Sequence, residues 1–194
     1  MKKFTSTLAD VRATAEKSAC IAEAVEGAGL AIVECLKNGG TLFTCGNGGS
    51  AADAMHLTQE LVGRYKKQRG ALPSMCLNSD PCLLTCLAND FGYEHAFARA
   101  VAAHLREGDI VIGFTTSGNS LSVCNALQEA NDRSVTTILV TGYDLHSPAA
   151  NLKCNNAIHV PALSTARVQE IHTTIIHHWL EMVEDDPHLV DEQA

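Results

Sequence analysis

Residues 41–64 read TLFTCGNGGSAADAMHLTQELVGR. A short apolar run at 41–45 leads into Gly46, Gly48 and Gly49, and a helical pattern opens at once from Ser50. A buried strand, a glycine-rich turn and a helix growing out of that turn make the first half of a βαβ unit. The glycines let the backbone come close to a ligand, and the helix start presents N–H groups and the positive end of a dipole, which suits an anion. Gly46-x-Gly48-x-x-Ala51 also satisfies the dinucleotide fingerprint, but that motif needs an acidic residue about 20 positions on to hold a ribose. Asp80 comes too late for that role, which leaves a phosphate site or a merely structural βα turn as the readings of this loop.

Working outward, apolar or β-branched runs recur at 72–77, 110–114, 135–140 and 157–160. Helical patterns separate most of them, at 81–106 with a break near 89–92 and at 120–132, and a last amphipathic helix covers 165–184. Strands alternating with helices imply right-handed crossovers and a parallel sheet covered on both faces. The expected fold is therefore α/β, a three-layer sandwich around a five-stranded parallel sheet, in one domain spanning 1–194. Residues 8–36 read as one helix ending at Lys37-Asn38-Gly39-Gly40, so 1–40 are expected to form an N-terminal helical arm. The polar tail EDDPHLVDEQA is expected to fray.

Composition narrows the function. The chain has 194 residues with 46% hydrophobic content, and 14 Lys plus Arg against 22 Asp plus Glu give a formal charge of −8. No basic footprint exists for nucleic acid or an anionic membrane surface, so neither is an expected partner. The start MKKFTSTLADVRAT lacks the apolar stretch of a signal peptide, and no apolar run reaches the about 18 residues of a membrane span, so a cytoplasmic location is expected. The eight cysteines include no CxxC spacing and several lie in apolar runs, which reads as buried free thiols rather than disulfides or a zinc ribbon.

In a doubly wound sheet, ligands collect outside the carboxyl ends of the strands. A second loop there, Thr115-Thr116-Ser117-Gly118-Asn119-Ser120, follows the third strand and opens another helix. Four hydroxyls with backbone N–H groups at a helix start can hold a phosphate dianion without a lysine. A capping role would use one hydroxyl and leave the others unexplained, and the absence of GK[ST] after the glycines excludes a P-loop. On the helix after the glycine loop, His56 and Glu60 lie one turn apart, about 6 Å between Cβ atoms, so both can reach a common proton or metal. The last helix carries Gln169, Glu170, His172, His177 and His178, of which most must be packing or surface residues.

GNGGSAADAMHLTQELVGRY, LANDFGYEHAF, TTSGNS and ARVQEIHTTIIH, in this order and at family-like spacing, resemble the SIS (sugar-isomerase) domain family and within it the bacterial phosphoheptose isomerases. The resemblance implies a flavodoxin-like SIS fold and interconversion of D-sedoheptulose 7-phosphate with D-glycero-D-manno-heptose 7-phosphate, a step toward heptose for lipopolysaccharide. It further implies a homotetramer with sites at subunit interfaces and one zinc ion per subunit. By resemblance, Asn47, Gly48, Gly49 and Ser50 belong to the sugar-phosphate cradle, Thr115, Thr116, Ser117 and Ser120 surround the phosphate, and Asn89, Asp90 and Gln169 contact the sugar. Glu60 matches the general base, also in contact with substrate, and His177 the general acid. His56, Glu60, Gln169 and His177 match the zinc-ligand set. Two positions depart from the family: Ala166 stands where an aspartate is common, and Ala51-Ala52 where a larger pair is common. Both departures are shared with a non-catalytic SIS adaptor that binds the bacterial replication initiator, but that adaptor lacks the glutamate and histidine matching Glu60 and His177.

Overall fold

The computed structural model describes residues 3–190. Five strands form one sheet: β1 (Leu42–Gly46), β2 (Ser74–Cys76), β3 (Ile110–Thr115), β4 (Thr136–Gly142) and β5 (Asn156–Val160). The order is β2-β1-β3-β4-β5 and every pair is parallel. The sequence direction reverses between β1 and β3, which creates a crevice above their carboxyl ends. β2 is shorter than its apolar run because it is an edge strand, in register with β1 only over Ser74 to Cys76.

Seven α-helices accompany the sheet among the described residues: α1 (Phe4–Lys17), α2 (Ala22–Lys37), α3 (Gly49–Val62), α4 (Pro81–Phe91), α5 (Tyr93–His104), α6 (Leu121–Asp132) and α7 (Thr165–Asp185). None is long and apolar enough to cross a membrane. One face of the sheet, with Leu42, Ile112, Phe114, Val140 and Ile158, packs on α2, α3 and α7 through Ile32, Leu57, Leu61, Ile176 and Trp179. The other face, with Phe43, Cys45, Val111 and Leu139, packs on α5 and α6 through Phe97, Val101, Val123 and Leu127. These are the three layers read from the alternation of strands and helices.

The arm differs from the single helix expected. A 3₁₀ turn at Ser18–Ile21 separates α1 from α2. Thr14 and Ser18 donate their hydroxyls to the carbonyls of Asp10 and Thr14, each at 2.9 Å, and such back-bonding bends helices. α1 has no buried residue, whereas α2 buries Ile32 and Leu36 and is tied to α7 by Trp179 Nε1 donating to the Val25 carbonyl at 2.9 Å. The break near 89–92 is real: Asp80 caps α4 by accepting from the Leu83 N–H with Pro81 at the first position, and Gly92 at φ +85° separates α4 from α5.

Two further expectations are corrected. The tail is docked as far as Val190: α7 runs to Asp185, Glu184 is buried, and Leu189 closes the core; residues 191–194 lie outside the described residues. All eight cysteines are free, but Cys20 in the 3₁₀ turn and Cys82 and Cys86 on α4, a helix with no buried residue, are exposed. The buried thiols behave as small hydrophobes. Burial, with the charge of Asp109 adding to it, pushes the Cys35 thiol up to about 11, and burial holds the Cys45 thiol higher still.

Candidate active site

The glycine loop and the hydroxyl loop meet where the strand order reverses, because β1 and β3 are neighbours and each ends in one of them. Gly48 at φ +57° turns the chain from β1 into α3, a conformation that strains any other residue. Neither α3 nor α6 receives a side-chain cap, and Ser120, although it stands at the N-cap of α6, makes no capping bond. Two helix starts therefore keep donors for an anion. Within the hydroxyl loop, Thr115 is buried and accepts from the Gly118 N–H at 3.2 Å, with Ser120 Oγ 3.4 Å away. Ser117 Oγ accepts from the Asn119 N–H, and Thr116 is half-buried beside it. Ser50 is buried under the turn.

Three side chains that the motifs did not single out hold this edge in place. The Asn78 amide pairs with both backbone groups of Gly46, accepting from its N–H at 3.3 Å and donating to its carbonyl at 2.8 Å. Asn47 donates to Ser122 Oγ at 3.0 Å, which joins the glycine loop to the first turn of α6, and accepts from the Tyr93 hydroxyl at 2.6 Å. Burial pushes the Tyr93 phenol pKa up, so the phenol remains the donor. Tyr93 lies three residues past Asp90. Asn89 and Asp90 themselves are exposed at the end of α4, where Asn89 donates to Asp90 at 2.8 Å, and no hydrogen bond among the described residues joins them to the loops.

α3 and α7 lie side by side and run in the same direction. Gln169 packs so closely on Gly49 that a Cβ there would overlap its amide; His172 Nδ1 stands 3.4 Å from Asp53 Oδ2; His177 meets His56 and Tyr65. His172 is fully buried against Phe114, and His178 is exposed, so these two are the packing and surface histidines anticipated. His56 Nε2 is 3.7 Å from Glu60 Oε1, and the His56 and His177 rings meet edge to face with centroids 5.1 Å apart. Glu60 and His177 thus both meet His56 within a single chain.

This cluster does not stand at the carboxyl edge of the sheet, as the position of the helix had suggested. α3 leaves that edge and runs back along the sheet, so Glu60 comes eleven residues after Gly49, about 16 Å along the helix axis. Gln169 remains at the cradle while His177 lies with His56, since eight residues of straight helix, about 12 Å, keep the two apart. For zinc, the imidazole and carboxylate donors of His56, Glu60 and His177 are of the right chemistry. Gln169 does not join them, and no group of three His, Cys, Asp or Glu side chains among the described residues stands at metal-binding geometry. One chain alone does not assemble the set of four.

Comparison with known proteins agrees with this fold. The SIS domain family matches residues 3–142. The phosphoheptose isomerase of Aliarcobacter butzleri is 43% identical over 164 residues, covering 84% of this chain and 86% of that protein. The solved phosphoheptose isomerase of Neisseria gonorrhoeae superposes with a TM-score of 0.87 at 34% identity, covering 94% of this chain and 97% of the other. That of Francisella tularensis superposes with a TM-score of 0.89 at 31% identity over the same shares. By fold, motifs and extended similarity, the chain belongs to the SIS domain family and, within it, to the phosphoheptose isomerases.

Proposed function

We propose that the protein is an aldose–ketose isomerase that interconverts D-sedoheptulose 7-phosphate and D-glycero-D-manno-heptose 7-phosphate. The observation that carries this reading is that Glu60 and His177, 117 residues apart in sequence, both meet His56 where α3 and α7 pack, in a chain that also carries two loops suited to a phosphate. Ketose-to-aldose conversion needs these two kinds of group. Glu60 takes a proton from C1 of the ketose while His177 gives one to the C2 carbonyl oxygen, leaving a cis-enediol. Glu60 then returns its proton to C2 as His177 takes the O1 proton, so the C1 aldehyde forms and both residues regain their starting states. The cradle of Asn47, Gly48, Gly49, Ser50, Thr115, Thr116, Ser117 and Ser120 holds the phosphate, with Asn89, Asp90 and Gln169 on the sugar. The adaptor reading loses its support, since it requires neither the glutamate nor the histidine.

The distance from cradle to cluster implies that a site is shared. About 16 Å of helix between Gly49 and Glu60 exceeds the reach of one heptose phosphate, so the cradle of one copy works with the cluster of another. A homotetramer supplies such pairs, and α1, with Phe4 and Leu8 exposed and nothing buried, gains a partner surface in it. Zinc, one ion per subunit, would draw on the imidazole and carboxylate donors of His56, Glu60 and His177, with Gln169 from the facing copy, and would supply Lewis-acid polarisation of the carbonyl. A cytoplasmic location belongs to the same reading. The test is purified protein with sedoheptulose 7-phosphate, following formation of the aldoheptose phosphate, with native mass and metal content measured on the same sample. Absence of turnover in folded, metal-supplied protein would remove the isomerase reading.

A further inference from the structure

Between α3 and β2 the segment GRYKKQR, residues 63–69, runs over the end of α7 as a strap. The backbone N–H groups of Tyr65, Lys66 and Lys67 all donate to the buried Glu184 carboxylate, at 3.0 to 3.2 Å. Lys66 Nζ donates to Glu181 Oε1 and Lys67 Nζ to the Glu184 carbonyl, both at 2.6 Å. From beneath, the Arg69 guanidinium donates to the carbonyls of Glu60 at 2.6 Å, Leu61 at 2.8 Å and Gly70 at 3.0 Å, with its Nε 3.8 Å from Glu184 Oε1. The Arg69 side chain is 0% exposed and that of Glu184 3%. Burial pulls the Arg69 pKa down while the charges of Glu184 and Glu60 hold it up, and a guanidinium stays cationic through such shifts.

His177, Glu181 and Glu184 follow one another at i, i+4 and i+7 on one face of α7, and the strap meets them in that order. Tyr65 stacks on His177, Lys66 reaches Glu181, and the three N–H groups close on Glu184. The Tyr65 and His177 rings are 5.6 Å apart and 21° from parallel, while His56 meets the imidazole edge-on from another side. No hydrogen bond to a described residue fixes the His177 ring. Its plane is set by these two neighbours.

We propose that Tyr65 is a positioning residue for His177, its ring held by a strap whose register the buried Arg69–Glu184 pair sets. This rests on the isomerase reading for its kinetic consequence and on geometry alone for its structural one. A half-buried tyrosine on a connecting segment would ordinarily be a packing residue. Here its backbone is bonded to the helix that carries its stacking partner, and the same arginine grips the carbonyl of Glu60, so base and acid are referred to one frame. A buried ion pair adds little net stability but specifies register, which is the use made of it here.

Tyr65→Leu and Tyr65→Phe separate ring from hydroxyl. Tyr65→Leu should lower kcat about tenfold with KM unchanged within about twofold, as loss of orientation in the transition state does, and Tyr65→Phe should restore kcat. Independently of turnover, ring-carbon and ring-proton signals of His177 in histidine-labelled protein, assigned by their loss in His177→Gln, should be shifted upfield in the wild type. They should stay so in Tyr65→Phe and relax in Tyr65→Leu. Wild-type kcat in Tyr65→Leu, or a Phe variant as poor as the Leu variant, overturns the proposal. So do wild-type His177 signals at free-histidine positions, a measurement that needs no variant of Tyr65 to fold. An inactive wild-type protein whose His177 signals are upfield overturns the isomerase reading alone and supports the placement of the ring.

Discussion

The two ends of the α3–α7 pair are built from different materials. At the carboxyl edge of the sheet, the cradle consists of helix starts and hydroxyls within two short loops, pinned by Asn78, Tyr93 and Ser122. Further along, the cluster consists of side chains alone, His56 and Glu60 from one helix and His177 from the other, framed by Tyr65 and the Arg69–Glu184 pair. A phosphate is recognised by fixed backbone dipoles, which a local stretch of chain can supply. Proton transfer needs side chains to converge, which only tertiary packing can supply. Variants at the two ends should therefore fail differently, one in turnover and the other in binding.

The largest effect belongs to the cluster. Glu60→Gln keeps the shape of the side chain and the Arg69 contact, which is made to the Glu60 backbone carbonyl, so the fold should persist. Turnover should fall at least about 100-fold, the usual scale for a general base, with KM little changed. Wild-type kcat in the folded variant would break the assignment. At the cradle, replacing Ser117 and Ser120 together with alanine should raise KM about tenfold and lower kcat less, the signature of lost ground-state binding. The effect should vanish with a sugar lacking phosphate. An unchanged KM would move the phosphate to the glycine loop alone.

The same contrast explains what could be read without coordinates. The cradle was legible because GNGGS and TTSGNS are contiguous, and the sheet was legible because its central strands β1 and β3 are fully buried apolar runs between helices. Even the break between α4 and α5 was visible in Gly92. The cluster was legible only in part: the spacing of His56 and Glu60 puts them on one helix face, but nothing local distinguishes His177 from His172 or His178, and the family resemblance made that choice. Asn78 acts by imitating a neighbouring strand for Gly46, and Tyr93 acts across 46 positions on Asn47, so neither has a local signature. The tail was misread because its charges suggest solvent, whereas Glu184 is buried by three N–H groups brought from residues more than a hundred positions away.

A smaller effect, on stability, sharpens the cradle end. Gly49 touches the Gln169 amide where a methyl group would overlap it. Gly49→Ala should destabilise the protein by about 1–3 kcal/mol in denaturant melts, the scale of overpacking. Because the clash is with one flexible side chain, Gln169→Ala in the same protein should recover part of that loss, giving a coupling in a double-mutant cycle. Strict additivity would mean that the two helices are spaced more loosely here than described, and would detach Gln169 from the cradle.

The smallest signal is the one that tests whether the two ends serve each other between copies. Gln169→Ala damages a cradle and leaves the cluster whole; His177→Ala does the reverse. In the shared arrangement, a site drawing its cradle from a His177→Ala chain and its cluster from a Gln169→Ala chain has both halves intact. Dissociating the two inactive proteins, mixing them equally and reassembling them should place both intact halves at about one site in four. Activity should recover toward that fraction of the wild type, and hybrid assemblies should be visible by native mass. Either protein taken alone through the same cycle should gain nothing. If hybrids form and remain as inactive as their parents, each chain must carry a complete site. The eleven-residue step from Gly49 to Glu60 would then have to be spanned within one copy, which the straight course of α3 opposes.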